Sequence, residues 1–417
     1  MPSIINRRQK TIEYETISPY HILWPVLNLI IASKVLGFRS MNLKNLRRPF
    51  LRWAMGWPGD STRAGPPRLA PAKMLDVAED SKKEIAELIP VHPPGKIFRK
   101  KPAIPVGCDP HPAFDIGVAP QTPTYLARVP RGRVVGPTVA VLTSGDRMLS
   151  DVSLDWGHPG LDHFAYRQFR LPRCTEYQGS AMLLACTGAD TYFHWLTDAL
   201  PRLEIFAKAL GTERSPDWWV VNTLNRPFVR ESLSLLGIPL GRVVALDKTP
   251  HVRFSELYVP SLPCEASSGD TPEWVGDFLR KKFCISGSNT RLPKRIWIDR
   301  GSNASRHIKL TDENKKSLEK SAVSVVRLEE LPFIQQTNVF QNLELAIGPH
   351  GAGFSGIVFS NKANVFEIFD KSYINACYYS LGQHQQAEYY YHIRDAASNQ
   401  SESLDNNILE LFLDLRK

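Results

Sequence analysis

An alternation of short apolar runs with amphipathic segments begins near residue 135 and constrains the fold more than any other feature. Runs such as SAMLLAC and DWWVVN have the length and composition of buried strands. The intervening TYFHWLTDALPRLEIFAKAL has the periodicity of a helix, and Pro201 is expected to kink it or end its first part. Strands that alternate with helices favour a parallel sheet covered on both faces, which predicts an α/β protein.

A polar stretch rich in Gly, Ser and Asn near residues 286–293 interrupts this alternation, which restarts with RIWIDR and continues to ANVFEIF. We interpret the stretch as a hinge, and the cleft between two α/β units is a common ligand site. Fifteen of the 32 prolines fall in residues 58–137, which predicts an extended, irregular segment. The predicted boundaries are 1–57 for an N-terminal arm, 58–133 for the proline-rich segment, 134–288 and 289–395 for two Rossmann-like domains, and 396–417 for a last helix that can cross back onto the first domain.

The formal charge of +9 is concentrated in the N-terminal arm. Residues 1–73 hold twelve Lys and Arg against three acidic residues, so the rest of the chain is close to neutral. This distribution disfavours a uniformly basic nucleic-acid groove and predicts no nucleic-acid partner. The arm's apolar run is interrupted by Pro25, Asn28 and Lys34 and is too short to span a bilayer. Two alternatives stay open: the arm packs on the protein, or it forms an interfacial helix on an anionic membrane surface.

The six cysteines are scattered and show neither a CxxC motif nor a Cys/His ligand spacing. This pattern predicts neither a zinc site nor a disulfide framework and fits a reducing compartment. The sequence therefore predicts a cytoplasmic location, with peripheral attachment to the inner face of the membrane as the alternative that the arm allows.

The stretch LELAIGPHGAGFSGIVF places four glycines where a strand ends and a helix begins. Open α/β sheets bind ligands at this end of their strands. Glycine removes the Cβ that would keep a ligand off the backbone, and helix-opening amides from about Ala352 to Gly356 favour an anion such as a diphosphate. His350 could donate to a phosphate or a sugar hydroxyl. The alternative, which this stretch alone leaves open, is a tight turn formed by Gly348, Gly351, Gly353 and Gly356.

Two further polar pairs carry candidate chemistry. Arg300 ends the strand RIWIDR and Arg306 follows it, so both are expected at the same sheet edge as the glycines. Their planar donors suit phosphate oxygens, although solvated loop charge is the alternative. His194 and Asp198 stand at i and i+4 on one face of the predicted helix. A carboxylate near a helix start stays ionised and can act as a general base, whereas a surface His–Asp pair is the alternative.

Taken in order, YFHWLTDALPRL, RIWIDRGSNASRHI and LELAIGPHGAGFSGIVF followed by VFEIF resemble the three signatures of glycosyltransferase family 61, over roughly residues 135–395. The resemblance implies a GT-B architecture, in which two Rossmann-like domains face each other across a cleft. It further implies an inverting, metal-independent hexosyl- or pentosyltransferase of polysaccharide or glycoconjugate biosynthesis. Its donor would be a nucleotide sugar, a UDP-sugar above all, and its acceptor a hydroxyl of a glycan or lipid-linked glycan.

The absence of a DxD motif agrees with the absence of a metal, and no other cofactor is expected. The alternative function is a catalytically silent nucleotide- or glycan-binding protein of the same fold.

The resemblance assigns roles to individual residues. His194 and Asp198 match the family's HxxxD, with Asp198 as the base that takes the acceptor's proton. Arg300 and Arg306 match its paired arginines and would hold the diphosphate. Residues 134–288 would then be the acceptor domain and 289–395 the nucleotide-sugar domain. The remaining donor-binding residues would be His350, Gly351, Ala352, Gly353, Phe354, Ser355 and Glu367, the last on a ribose hydroxyl pair.

Two departures from the family pattern stand out. Phe354 and Ser355 occupy positions where many members have Leu-Thr or Leu-Ser followed by Asn, which could alter donor preference. Lys309 and Thr311, in HIKLTDEN, stand where an Asn-Glu pair is common, and we expect this change to alter only a helix cap.

Overall fold

The computed structural model describes residues 65–136, 138–168, 170–264, 269–284, 292–301, 306–394 and 403–415. The N-terminal arm and most of the predicted hinge lie outside these residues, so both stay predictions. The described residues belong to one unit, Asp60–Lys417. None of the described helices is both long enough and apolar enough to cross a membrane.

The elements follow one another much as the alternation predicts. The strands are β1 Glu87–His92, β2 Gly95–Arg99, β3 Ile104–Pro105, β4 Gly117–Gln121, β5 Thr124–Pro130, β6 Arg133–Val135, β7 Ala140–Leu142, β8 Thr175–Leu183, β9 Trp218–Val221, β10 Val243–Ala245, β11 His251–Pro260, β12 Arg295–Ile298, β13 Ser324–Val326, β14 Leu345–Pro349, β15 Asn364–Asp370 and β16 Tyr389–Arg394. The α-helices are α1 Met74–Asp80, α2 Phe164–Arg167, α3 Tyr192–His194, α4 Arg202–Leu210, α5 Pro227–Leu235, α6 Glu273–Phe283, α7 Asp312–Lys320, α8 Phe333–Gln341, α9 Cys377–His384 and α10 Asn406–Asp414. Short 3₁₀ helices span Pro112–Phe114, Gly160–Asp162, Leu240–Arg242, Leu328–Glu330 and Ala352–Phe359, and a π-helical turn spans Trp195–Ala199.

The first sheet is mixed, not wholly parallel as the alternation favoured. Its parallel part has the order β11-β8-β9-β10, and β5 and β6 pair antiparallel with β11. The edge strand β1 pairs antiparallel with β5. Antiparallel neighbours need no crossover helix, so short segments that the α/β pattern does not mark can extend the sheet.

The proline-rich segment is more regular than we expected, because it supplies β1 to β5. Its prolines sit where a missing N–H is tolerated. Pro90 lies in the edge strand β1, Pro105 ends the edge strand β3, and Pro130 ends β5. Strand β3 pairs with β16, so the segment contributes to both large sheets.

The second sheet is wholly parallel, with the order β13-β12-β14-β15-β16-β3. The chain runs from β12 outward to β13 and then returns past β12 to β14. This reversal puts a topological switch point between the C-terminal ends of β12 and β14, where doubly wound sheets bind ligands.

One apolar core connects the two sheets and includes Met182 and Leu200 from the first half and Ile298 and Phe354 from the second. The last helix, α10, does not cross back onto the first sheet. Its Phe412 stacks on Phe366 of β15 with ring centroids 4.2 Å apart, because the buried face of α10 belongs to the apolar cluster on the second sheet.

Candidate active site

His194 and Asp198 form a hydrogen-bonded pair at the beginning of the helix that follows β8. The ring Nδ1 of His194 lies 2.6 Å from Oδ2 of Asp198, and Thr197 Oγ1 lies 3.3 Å from Oδ1. A carboxylate only accepts, so Nδ1–H donates to Asp198 and Nε2 is the ring nitrogen left to accept a proton. The side chains are 25% and 18% exposed, so both remain reachable from solvent.

The backbone around this pair is π-helical. Leu200 N–H donates to the carbonyl of Trp195, five residues earlier, at 2.9 Å. Pro201 follows and has no N–H to continue the α pattern, which accounts for the predicted break. Trp195 is fully buried and donates through Nε1 to Ser232 Oγ at 2.9 Å. π-helical turns of this kind often occur at functional sites, and this one fixes the direction of the His–Asp pair.

Arg202, immediately after the turn, is a residue that sequence reasoning missed. Its side chain is fully buried, and Nη1 donates to the carbonyl of Ala185 at 2.8 Å, just beyond the end of β8. Burial lowers the pKa of Arg202, while Cys186 and Asp198 nearby oppose that effect. The sequence LPRL does contain a local signal for Arg202, because it places a charged residue on an otherwise apolar helix face.

Arg300 lies at the end of β12 and packs on the backbone of the glycine-rich loop. Its Nη1 donates to the carbonyl of His350 at 2.7 Å. A Cβ on Gly351 would lie 1.3 Å from that same nitrogen, so only glycine leaves room for the guanidinium. Burial lowers the pKa of Arg300, and neighbouring Arg306 acts in the same direction. Two cations held this close are a site for an anion.

The other glycines of the loop serve packing. A Cβ on Gly356 would lie 2.1 Å from the ring of Phe340, and one on Gly348 would lie 2.9 Å from the carbonyl oxygen of Ile298. Gly353 likewise faces the side chain of Ile298. These three glycines are therefore required by packing within the protein, whereas Gly351 leaves room for the side chain of Arg300.

A hydrogen bond to Glu367 fixes the orientation of the His350 ring. Its Nδ1 lies 2.5 Å from Oε1 of Glu367, and the hydroxyl of Tyr389 donates to the other oxygen of that carboxylate. The ring of His350 stacks on Phe369 with centroids 5.0 Å apart. Burial raises the pKa of Glu367, and His350 opposes this effect. Because Nδ1 is bonded to Glu367, Nε2 is the ring nitrogen of His350 that can contact a ligand in the cavity.

This arrangement corrects three predicted donor contacts. Glu367 is 0% exposed and both its oxygens are engaged, so it positions His350 instead of binding a ribose. Phe354 and Ser355 are buried as well and line no cavity described here. The helical turn that contains them points these two side chains into the core.

Arg306 reaches the site from a left-handed backbone position with φ 60°. Its guanidinium carbon lies 4.6 Å from the centroid of the Tyr373 ring, an arrangement that orients the cation. Nε of Arg306 and Nε of Arg300 are buried and have no hydrogen-bond partner among the described residues.

A single cavity of about 410 Å³ brings most of the predicted residues together. Its lining includes both members of the His–Asp pair together with Arg300, Arg306 and His350. Gly351 and Ala352 contribute backbone, and Gly353 lines an adjoining cavity of about 400 Å³ that shares Arg300 and Ala352. Among the described residues, no group of three or more His, Cys, Asp or Glu could hold a metal ion.

The cavity also contains aromatic residues that the sequence did not single out, namely Trp156, Tyr373 and Tyr378. Burial raises the pKa of Tyr378 well above its ordinary value, so its hydroxyl stays protonated. Trp156 lies in an irregular loop with no local motif around it, so no sequence signal could have found it.

The fold and the cavity thus define a mixed α/β protein with a candidate proton acceptor and a pair of arginines in the same cavity. Residues 192–366 match the family model for glycosyltransferase 61. The match confirms, over these residues, the resemblance to glycosyltransferase family 61 drawn from the motifs. It includes both the His–Asp pair and the two arginines, and the family implies glycosyltransferase activity. A comparison with curated proteins found no match.

Proposed function

We propose that this protein is an inverting, metal-independent glycosyltransferase that transfers a sugar from a UDP-sugar to a hydroxyl of a glycan or lipid-linked glycan. One observation carries the proposal: His194 and Asp198 line the same cavity as Arg300, Arg306 and His350. A GT-B arrangement is part of the proposal, and the presence of parallel strands in both sheets supports it.

The donor's diphosphate would lie against the two arginines. Their buried Nε groups have no partner among the described residues, and an anionic ligand would satisfy such donors. Ala352 begins a 3₁₀ helix, so its N–H and that of Gly353 belong to the helix start, where anions are favoured. Arg300 and these amides flank the switch point between β12 and β14, which is the expected ligand position in a parallel sheet.

The geometry favours His194 over Asp198 as the base. Oδ2 of Asp198 accepts from Nδ1 of His194, which leaves Nε2 to take the proton of the acceptor hydroxyl. The hydroxyl oxygen forms a bond to the anomeric carbon while the bond from that carbon to the diphosphate breaks. The leaving electron pair stays on the diphosphate, where the arginines stabilise its charge. Asp198 would fix the ring and stabilise the imidazolium that forms.

Substitution of this pair tests the assignment. We expect His194→Gln to lower kcat by about 10²–10⁴-fold, the usual contribution of a general base, and Asp198→Asn also to lower it. UDP affinity, measured by calorimetry, should change little because neither residue contacts the diphosphate. Glu204→Gln is the control, since Glu204 lies on α4 and pairs with Lys208. Near-normal turnover in His194→Gln, together with a loss of turnover in Asp198→Asn, would show that Asp198 is the base.

The alternative is a silent binding protein of the same fold. It predicts a UDP-dependent rise in melting temperature with no release of UDP from any nucleotide sugar, whatever acceptor is offered. A ligand at 100 times its Kd stabilises a protein by about 2.7 kcal/mol, so binding is easily detected. Activity that disappears with a chelator and returns with Mn²⁺ would contradict the metal-independent mechanism.

The proposed location is the cytoplasm, with the N-terminal arm on the inner face of the membrane. Free cysteines at all six positions support a reducing compartment. Co-sedimentation with anionic vesicles, before and after deletion of residues 1–53, tests the role of the arm. Unchanged binding after the deletion would remove the arm from the proposal.

A further inference from the structure

A second cavity, of about 580 Å³, lies beside the proposed donor cavity at the edge of the first sheet. Its lining comes from the segments that directly follow three neighbouring parallel strands: Thr187 after β8, Asn222 and Asn225 after β9, and Asp247 after β10. The C-terminal ends of parallel strands bind ligands in open α/β sheets, and the volume lies within the range of about 300–1,000 Å³ typical of small-ligand sites.

Trp156 connects this cavity to the His–Asp pair, since it lines both cavities. Its side chain is 53% exposed, although its ring contacts the ring of His194 with centroids 5.0 Å apart. Gly188, with φ 80°, lies under both rings, because a Cβ there would lie 2.6 Å from Trp156 and 2.7 Å from His194. The tryptophan is therefore a fixed, solvent-facing aromatic surface next to the candidate base.

The polar groups of the cavity are held in place by one another. Oδ2 of Asp247 accepts from Thr223 Oγ1 at 2.7 Å and from Asn225 Nδ2 at 2.8 Å. The side chain of Asn222 bonds both the N–H and the carbonyl of Cys186, at 3.1 and 2.8 Å. Oriented amides and carboxylates beside an aromatic face are suited to a sugar, whose hydroxyls need hydrogen bonds and whose C–H faces are apolar.

The lining of the second cavity is acidic on balance. Among its described residues, Asp155, Asp190 and Asp247 stand against a single arginine, Arg226. Asp155 pairs with Arg167 and Asp190 pairs with Arg226, so Asp247 is the carboxylate that most disfavours an anionic group in this cavity.

We propose that this second cavity is the acceptor subsite and that it takes an uncharged or amine-bearing sugar ring stacked on Trp156. The inference rests on the proposed transferase function, because it assigns the acceptor of that reaction. A hydroxyl of the stacked ring would lie next to His194, while Asp247 would disfavour uronic acids and phosphorylated sugars.

Binding experiments with the full chain test the subsite without requiring turnover. We expect saturation-transfer NMR to detect neutral disaccharides and not their uronic-acid counterparts, in the presence of UDP. Trp156→Ala should weaken disaccharide binding at least about tenfold and Trp156→Phe less, with UDP affinity unchanged in both. Asn225→Ala, at a position away from His194, should weaken binding as well. Asp277→Asn, on the exposed side of α6, is the control.

The charge argument has its own test. Asp247→Asn removes one negative charge and should reduce the discrimination against uronic-acid disaccharides. Equal binding of neutral and acidic disaccharides by the unaltered protein, or binding that Trp156→Ala and Asn225→Ala leave unchanged, would overturn the inference.

Failure of the inference can be told apart from failure of the proposed function. If transfer occurs and the KM for the acceptor is unaffected by Trp156→Ala and Asn225→Ala, the function stands and the subsite is wrong. If neutral sugars bind in a Trp156-dependent manner but no donor is turned over, the subsite stands and the transferase proposal fails.

Discussion

Gly351 shows how a single residue can link backbone geometry to ligand chemistry. Its φ of 172° is extended and open to any residue, so backbone strain does not require glycine there. The requirement is space, because the guanidinium of Arg300 occupies the position that a Cβ would take. The glycine thus allows a cation to lie on the loop that begins the 3₁₀ helix Ala352–Phe359.

We expect Gly351→Ala to displace Arg300 and to lower the affinity for UDP by about 10–100-fold, since hydrogen bonds to charged groups contribute about 1.5–3 kcal/mol. Isothermal titration calorimetry with UDP measures this effect. Gly241→Ala is the control, because no atom lies within 4 Å of a Cβ built there. Unchanged UDP affinity in Gly351→Ala would show that Arg300 does not contribute to donor binding.

Gly356 offers a contrasting residue in the same loop. A Cβ there meets the ring of Phe340, so Gly356→Ala should destabilise the fold by about 1–3 kcal/mol, a typical cost of overpacking. The folded fraction should still bind UDP. Chemical denaturation combined with titration distinguishes the two glycines, and a stable Gly356→Ala variant with weak UDP binding would contradict their separate roles.

At the scale of elements, helix α7 explains one departure from the family pattern. Thr311 is its N-cap and accepts from the N–H of Asn314, and Asn314 Oδ1 accepts from the N–H of Thr311 in return. This reciprocal capping box satisfies two amides that a helix start leaves free. The Thr in HIKLTDEN therefore acts in a helix cap, as expected from the sequence.

Thr311→Ala should lower the free energy of unfolding by about 1 kcal/mol, the usual cost of a lost N-cap. Thr311→Ser, which keeps the hydroxyl, should be close to neutral. Urea denaturation measures both variants. An equal loss in the two would show that the methyl group of Thr311, not its hydroxyl, stabilises the helix.

At the scale of the whole molecule, buried histidines make stability depend on pH. His251 at the start of β11 is fully buried and donates from Nδ1 to the carbonyl of Pro172 at 2.8 Å. Burial lowers the pKa of His251 from 6.5 to about 4, and burial also lowers the pKa of His163 to about 4. Between pH 6.5 and 4 the unfolded chain takes up protons that the folded chain does not, so stability falls as the pH falls. Asp151 opposes this effect, because burial raises its pKa to about 6.

His251→Asn removes the titrating ring and keeps an N–H donor. We expect the wild-type protein to lose up to about 3 kcal/mol more than this variant between pH 6.5 and pH 4, at about 1.36 kcal/mol per pKa unit. Denaturation curves at a series of pH values measure the difference. His158→Asn, at a side chain that is 45% exposed, is the control, and parallel curves for wild type and His251→Asn would contradict the assignment.

Most of the elements after residue 135 could be predicted because hydrophobic periodicity is a local property. Strands such as β9 and helices such as α4 appear where the pattern placed them. The candidate site was predictable as far as its residues belong to motifs: His194, Arg300 and His350 meet in one cavity. The sequence did not predict β1, β3 and β5, because their prolines disfavour a strand. Whether such a segment forms a strand depends on a partner that lies far away in the sequence.

The sequence by itself determined the α/β class, the positions of the polar side chains on their elements and the resemblance of residues 192–366 to glycosyltransferase family 61. Only the tertiary structure decided which of those side chains face a ligand. Glu367 is buried and hydrogen-bonded to His350, and the ring of Trp156 lies against the ring of His194. The physical reason is that a side chain's role depends on burial and charge supplied by residues far away in the chain. Glu367 is enclosed by neighbouring strands, and Trp156 rests on a glycine more than 30 residues further along.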